Sequence, residues 1–189
     1  MKCLFEKLSI KQLLIGSLVS IAVYFISSYF LEALYAKSKF SVPYFEAQTS
    51  FSPSKLKMWY QELLDFGTMN VYYQTQYFDF VFILTVVAMG FFVWNLAGSL
   101  LKKNTWLFKN RYHLSLFLPL AGLFDIFENI VSFFMLANPT TFSSNLAYLY
   151  SGFASSKFVC WGIALVILVL LISALLIQKL FRKRKFKID

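Results

Sequence analysis

The residues best able to carry chemistry are Asp125, Glu128 and Asn129, which interrupt a long apolar stretch. Positions i, i+3 and i+4 of a helix share one face, so the two carboxyl groups and the amide point the same way. Ala121 and Gly122 continue that face, and small residues allow another helix to approach closely. Adjacent buried carboxyl groups resist double ionisation, so they are expected to share a proton or to hold a cation.

Two interpretations of these three residues are open. In the functional one, they bind a ligand head group, relay protons or act as acid and base. In the structural one, they hydrogen-bond to neighbouring helices and fix the packing. Asp125 is at the midpoint of the stretch 113–137, which predicts a position near the bilayer centre. No Lys or Arg is expected within the apolar cores, so we predict no deep salt bridge to Asp125 or Glu128.

Other apolar stretches offer partners for this acidic segment. Ser20, Tyr24 and Ser27 belong to a polar stripe on the first stretch, and we add them to the predicted ligand-binding set with Asp125, Glu128 and Asn129. Plain helix packing is the alternative role for the serines. Further candidate partners are Glu32, Asp79 and Asn95.

Several classes of chemistry lack the residues that they need. His113 is the only histidine, and about 18 Å of helical rise separates it from Asp125, so the two cannot share a metal ion. Cys3 and Cys160 fall on opposite sides of the predicted membrane, too far apart for a disulfide. There is no Walker loop and no glycine-rich dinucleotide turn. We predict no catalytic residue, no metal site and no cofactor, and we favour a non-enzymatic protein.

The elements that position these residues are predicted to be membrane helices. Of the 189 residues, 59% are apolar and 14% charged, against roughly 25% charged in a typical globular protein. A soluble domain this small could not bury so much apolar surface. Four stretches, about 10–35, 80–101, 113–137 and 158–181, can each cross a hydrocarbon core of about 30 Å. We predict an all-α, four-helix membrane bundle that forms a single transmembrane domain over residues 1–189.

One short amphipathic helix is predicted at 53–66, in the loop after the first stretch. Ser52 suits the N-cap, Pro53 suits the first helical position, and Gly67 supplies the stop. Such a helix is expected to lie in the membrane interface or to roof the bundle. The Tyr- and Gln-rich segment that follows it is expected among the lipid head groups. The second outer loop, 138–157, is expected to be polar and short, and Pro119 is expected to kink the third helix.

Basic residues border the apolar stretches and predict the orientation. Thirteen Lys and Arg flank one side: Lys2, Lys7, Lys11, Lys102, Lys103, Lys109, Arg111, Lys179, Arg182, Lys183, Arg184, Lys185 and Lys187. Five lie on the other side: Lys37, Lys39, Lys55, Lys57 and Lys157. The positive-inside rule predicts a multi-pass protein of the inner cell membrane with both termini in the cytoplasm. The net charge of +9 then favours anionic inner-leaflet head groups, above all at the basic C-terminus, and not nucleic acid.

The segment 119–129, PLAGLFDIFEN, also carries a resemblance. It resembles a motif of uncharacterised bacterial four-helix integral membrane proteins that have D-x-x-E-N in the third span. This resemblance covers the segment and the general layout, and it implies the four-span fold without implying an activity. Four spans with buried acids are also similar to the sterol-isomerase-like membrane fold, whose chemistry needs a histidine partner that this chain lacks.

The leading hypothesis is a membrane protein that binds a lipid or small amphiphile in a pocket inside the bundle, at Asp125 and Glu128. One alternative is a membrane enzyme that uses paired carboxyl groups for acid–base chemistry on a lipid-soluble substrate. Another is a packing or assembly subunit whose acids meet a basic residue of another membrane protein. A homo-oligomer is also left open.

Overall fold

The computed structural model describes residues 8–185, with side chains as far as Phe181. The regular secondary structure in this range consists of helices. The helices are α1 (Ile10–Ser38), α2 (Tyr44–Gln48), α3 (Pro53–Asp65), α4 (Met69–Ser99), α5 (Trp106–Leu114), α6 (Phe117–Leu136) and α7 (Ser144–Lys185). The expectations for Lys2, Cys3, Lys7 and Lys187 lie outside the described residues, and the basic side chains of 182–185 lie beyond the last described side chain.

Four helical segments are long and apolar enough to cross a membrane: Ile10–Ser38, Met69–Ser99, Trp106–Leu136 and Ser144–Phe181. Many of their large apolar side chains face outward, and Leu18, for example, is 62% exposed. An apolar exterior of this extent suits lipid and not water, and helices satisfy their own backbone hydrogen bonds there. The prediction of an all-α chain with four helices able to span a membrane is therefore confirmed.

Two segments expected to be loops are helical. α4 begins at Met69, so the Tyr- and Gln-rich segment expected among the head groups forms its first turns. α7 begins at Ser144, so most of the predicted loop 138–157 is helix and that prediction is wrong. Buried residues of this segment recur at helical spacing: Ala147, Tyr150 and Ala154. Packing of this face stabilises a helix where the polar composition indicated a loop.

The third span consists of two helices. α5 ends at Leu114 and α6 begins at Phe117, after a turn that contains Ser115. The interruption at Ser115 lies four residues before Pro119, where a proline ring clashes with the carbonyl group of a continuous helix, and it agrees with the expectation that Pro119 disturbs the third span. Pro119 lies in the first turn of α6, where a missing N–H costs no intrahelical hydrogen bond. Asn95 of α4 holds the turn, because its Nδ2 donates to Oγ of Ser115 at 3.1 Å.

The four spans are packed as two pairs. α1 lies along α4, α6 lies along α7, and α4 also contacts α6 and α7. Oγ of Ser27 and Oγ1 of Thr85 are 2.9 Å apart between α1 and α4. Nε1 of Trp94 donates to the carbonyl oxygen of Ala164 at 3.0 Å between α4 and α7. Within the described residues α1 and α7 are not packed side by side, which leaves a space between them beside α4.

α3 lies across one end of the bundle. Ser52 accepts a hydrogen bond from the N–H of Lys55, and Gly67 follows the helix with a φ of 67°. The inner face of α3 is buried: Leu56, Trp59, Tyr60 and Leu63. The ring of Tyr60 lies 6.0–6.2 Å from those of Phe40, Tyr72 and Phe142. Burial raises the pKa of the Tyr60 hydroxyl above its usual value, so this side chain stays neutral in the packed end.

Gly122 marks a close approach of α4 to α6. A Cβ on Gly122 would lie 2.7 Å from Cγ2 of Val87 and 3.2 Å from Cγ2 of Ile83. We expect Gly122→Ala to push the helices apart and to lower the free energy of unfolding by about 1–3 kcal/mol, measured by denaturation in detergent. The matched control is Gly152→Ala, since nothing lies within 4 Å of that Cβ and alanine favours helix there. Equal stability of the two variants would contradict the close approach.

Candidate functional site

A buried ion cluster joins α6 to α7. Lys157 of α7 is 5% exposed. Its Nζ donates to Oδ1 of Asp125 at 2.8 Å and lies 2.6 Å from Oε2 of Glu128. Both carboxyl groups are buried as well. The prediction that no lysine reaches Asp125 and Glu128 is therefore wrong.

The error has a local cause. Composition places Lys157 at the end of a polar loop, but α7 begins at Ser144 and carries this lysine into the bundle. The aliphatic stem of a lysine packs well among apolar residues while its ammonium reaches a partner. One signal could have found it, because Tyr150, Ala154 and Lys157 recur at helical spacing.

Asp79 extends the cluster to α4. Nδ2 of Asn129 donates to Oδ2 of Asp79 at 2.6 Å, in agreement with the expectation that Asp79 is a partner of the acidic segment. Asp79 is also within electrostatic range of Asp125 and Lys157. We call Asp79, Asp125, Glu128, Asn129 and Lys157 the charged cluster.

The charged cluster lies towards the α3 end of the apolar region and not at its middle. Asp79 and Lys157 directly precede the apolar stretches 80–101 and 158–181. Asp79 contacts Asn129 of α6 and Lys157 contacts Asp125, which places Asp125 close to the same level. The expectation that Asp125 lies near the bilayer centre stays a prediction, and these contacts favour a position nearer the α3 end. Its position within its own stretch did not reveal where the neighbouring helices become polar.

The charged cluster holds more acid than base. The carboxyl groups of Asp79, Asp125 and Glu128 share one ammonium group, that of Lys157. A medium of low dielectric constant favours a neutral cluster, and one ammonium neutralises one carboxylate. Further neutralisation requires protons on the carboxyl groups or positive charge from a ligand.

A cavity of about 380 Å³ lies beside the charged cluster, between α1, α4 and α7. This volume falls within the range of about 300–1,000 Å³ that is common for small-molecule sites. α2 covers one end, where Tyr44 and Gln48 line the cavity and the ring of Phe45 lies 6.0 Å from that of Phe158 on α7. The charged lining residues are Glu32, Asp79, Asp125 and Lys157. Five tyrosines also line it: Tyr24, Tyr35, Tyr44, Tyr72 and Tyr150.

The residues predicted to bind a ligand do not all reach the cavity. Asp125 and Tyr24 line it. Glu128 is 0% exposed and lies behind the wall, where it contacts Lys157. Asn129 is also behind the wall, bonded to Asp79.

Ser20 and Ser27 are buried on α1 away from the cavity lining. The hydroxyl of Ser20 donates to the carbonyl oxygen of Ser17 at 3.1 Å, and that of Ser27 donates to the carbonyl oxygen of Tyr24 at 2.9 Å. These hydrogen bonds lie within α1, and the contact of Ser27 with Thr85 of α4 agrees with helix packing, the alternative role considered for the serines.

Two glutamines that line the cavity have a polar atom without a hydrogen-bond partner among the described residues. Gln76 of α4 is 8% exposed, and its Oε1 has no hydrogen-bond partner among the described residues. Oε1 of Gln48 on α2 likewise has none there. Neither glutamine was predicted for the site. If the helix had been predicted to begin at Met69, Gln76 would have been placed on the same helix as Asp79, less than one turn away.

Comparison with known proteins assigns no family. No protein-family model, curated protein or solved structure matches the chain. Among residues 8–185, no group of three or more His, Cys, Asp or Glu side chains is placed to hold a metal ion. The cavity and the charged cluster are thus the features from which a function can be inferred.

Proposed function

We propose that this protein binds a lipid or another small amphiphile in the cavity between α1, α4 and α7. The cavity itself carries the proposal, because charged groups line part of its wall and aromatic and aliphatic side chains line the rest. Such a wall suits a molecule with a polar end and an apolar body. Because α1 and α7 are not packed side by side, an apolar molecule can reach the cavity sideways from the membrane.

The charged cluster would receive the polar end of this molecule. Three members of the cluster line the cavity: Asp79, Asp125 and Lys157. Each of them is bound to another side chain of the cluster. Glu128 lies 2.6 Å from Nζ of Lys157, and Asn129 donates to Asp79 at 2.6 Å. Groups held in this way are already oriented before a ligand arrives, which lowers the cost of binding.

A cavity-filling substitution tests the proposal. Leu31 of α1 lines the cavity, and we expect Leu31→Trp to occupy the space and to exclude the ligand. Native mass spectrometry in mild detergent should show a bound species on the unsubstituted protein and its loss from this variant. The matched control is Leu18→Trp, the same change on the 62% exposed face of α1, which should keep the ligand.

A spectrum that is identical for the unsubstituted protein and for both variants would contradict the proposal. Substituting Asp125 and Glu128 together is a poorer test. It would leave Lys157 buried without the carboxyl groups that neutralise it, and the variant could then unfold instead of losing a ligand.

One observation favours a second candidate function, a membrane enzyme. Asp79, Asp125 and Lys157 line the same cavity, so groups able to give and take a proton face one space. Chromatography of the released species before and after incubation with the protein distinguishes the two functions, because an enzyme would convert it to a product and a binding protein would leave it unchanged. The assembly hypothesis stays a prediction, although Lys157 of this chain already gives Asp125 and Glu128 one cation of the kind sought from another protein.

We infer that both termini are cytoplasmic and that the protein is in the inner membrane. Lys and Arg are concentrated in the three segments assigned to the cytoplasm. Lys157 lies inside the bundle and no longer counts among the opposing loop charges, which increases the asymmetry. A C-terminal fusion to a reporter that is active only outside the cytoplasm should be inactive, and activity would reverse the assignment.

A further inference from the structure

We propose that the amphiphile in the cavity carries a cationic amine head group, an inference that rests on the proposed function. The charged residues of the cavity wall are unequal in sign. Three are acidic and one is basic: Glu32, Asp79, Asp125 and Lys157. A wall with this excess of acid favours a positively charged head group over a neutral one and repels an anion.

The single lysine does not reverse this preference. Its Nζ is held by Asp125 at 2.8 Å and by Glu128 at 2.6 Å. Glu128 lies behind the wall, so it neutralises Lys157 without itself facing a ligand. An anionic head group would have to compete with two carboxyl groups for this ammonium.

The unpartnered amide oxygens of two glutamines that line the cavity agree with the same chemistry. Oε1 of Gln76 and Oε1 of Gln48 are buried acceptors without a hydrogen-bond partner in the described part of the chain. A buried acceptor that lacks a donor is costly. A protonated amine brings N–H donors together with positive charge, which suits the carboxyl groups and would also suit the amide oxygen of a glutamine that turned towards the ligand.

The aromatic lining is also suited to a cation. Five tyrosines and Trp161 contribute to the wall, and the faces of such rings attract an ammonium group. Aromatic side chains equally suit the apolar body of the ligand. The excess of acid is therefore the observation that specifies the head group, and the unpartnered acceptors and the aromatic lining agree with it.

Three amphiphiles with one chain length test the head group: dodecylamine, dodecanol and dodecanoate, titrated at pH 7 into the protein in dodecyl maltoside. Binding is followed by native mass spectrometry and by the shift of the thermal unfolding midpoint. We expect dodecylamine to bind about tenfold more tightly than dodecanol, because a charged hydrogen bond contributes more than a neutral one. Dodecanoate should bind most weakly.

Asp79→Asn removes charge from the wall while an amide oxygen can still accept from Asn129. We expect the preference for dodecylamine over dodecanol to fall to about threefold or less in this variant. Asp65→Asn is the matched control, because Asp65 is an exposed residue of α3 that does not line the cavity, and it should keep the full preference.

The outcomes separate this inference from the proposed function. Equal binding of all three amphiphiles, lost in Leu31→Trp, would overturn the amine head group and leave the proposed function standing. Binding of none of them, with no co-purified species, would overturn both. A preference for dodecylamine that survives in both Asp79→Asn and Leu31→Trp would show binding outside the cavity and would also overturn the inference.

Discussion

Lys157→Met is expected to lower the free energy of unfolding by about 3–5 kcal/mol, because it leaves buried carboxyl groups without their cation. Methionine matches the length of the lysine stem, so the change removes mainly the charge. Glu128 should be affected most, since it is fully buried and its Oε1 has no hydrogen-bond partner among the described residues. Equilibrium unfolding in mixed micelles measures the change.

Two further variants show whether the effect comes from charge. Lys157→Met combined with Glu128→Gln removes one acid as well, and we expect the pair to be less destabilising than the sum of the two single changes. Lys55→Met is the control, because Lys55 is exposed on α3. Unchanged stability of Lys157→Met would show that the contacts to Asp125 and Glu128 do not stabilise the bundle.

Trp59→Ala is expected to cost about 3–5 kcal/mol of stability, the range for a large aromatic side chain removed from a core. Trp59 is 4% exposed, and its ring centroid lies 6.2 Å from that of Phe40. The loss should appear as a lower unfolding midpoint and as easier proteolysis of the segment that contains α3, because α3 would detach from the bundle.

The neighbouring Met58 provides the control for Trp59. It is 50% exposed on the same helix, and we expect Met58→Ala to change stability by no more than about 0.5 kcal/mol. If α3 instead lay on lipid without contacting the bundle, Trp59→Ala would leave the unfolding midpoint of the spans unchanged. The two variants therefore distinguish a helix that packs against the end of the bundle from one that lies on lipid without contacting it.

The four apolar spans and the short helix α3 could be predicted because both depend on local sequence. Apolar stretches of sufficient length predict spans wherever they occur, and the signals at Ser52, Pro53 and Gly67 lie within or next to α3. The starts of α4 and α7 could not be predicted in the same way. Their first turns are polar, and they are helical because one face of each packs against the rest of the bundle, as Tyr72 and Tyr150 do.

The acidic segment of the site was predictable and its cation was not. The spacing of Asp125, Glu128 and Asn129 places them on one face of any helix. Lys157 joins them only because α7 starts early and packs along α6. The cavity depends on the separation of α1 from α7. This separation is set by how all the helices pack, and no sequence pattern within either helix encodes it.

The contacts of the charged cluster also set how far the spans are displaced along one another. Sliding α7 by one turn would move Lys157 by about 5.4 Å, far beyond its 2.8 and 2.6 Å contacts with Asp125 and Glu128. Apolar helix faces in lipid discriminate poorly between such offsets, whereas a buried ammonium has one place where it is neutralised. The cluster thus selects one axial offset of α7 along α6 when the two helices pack together.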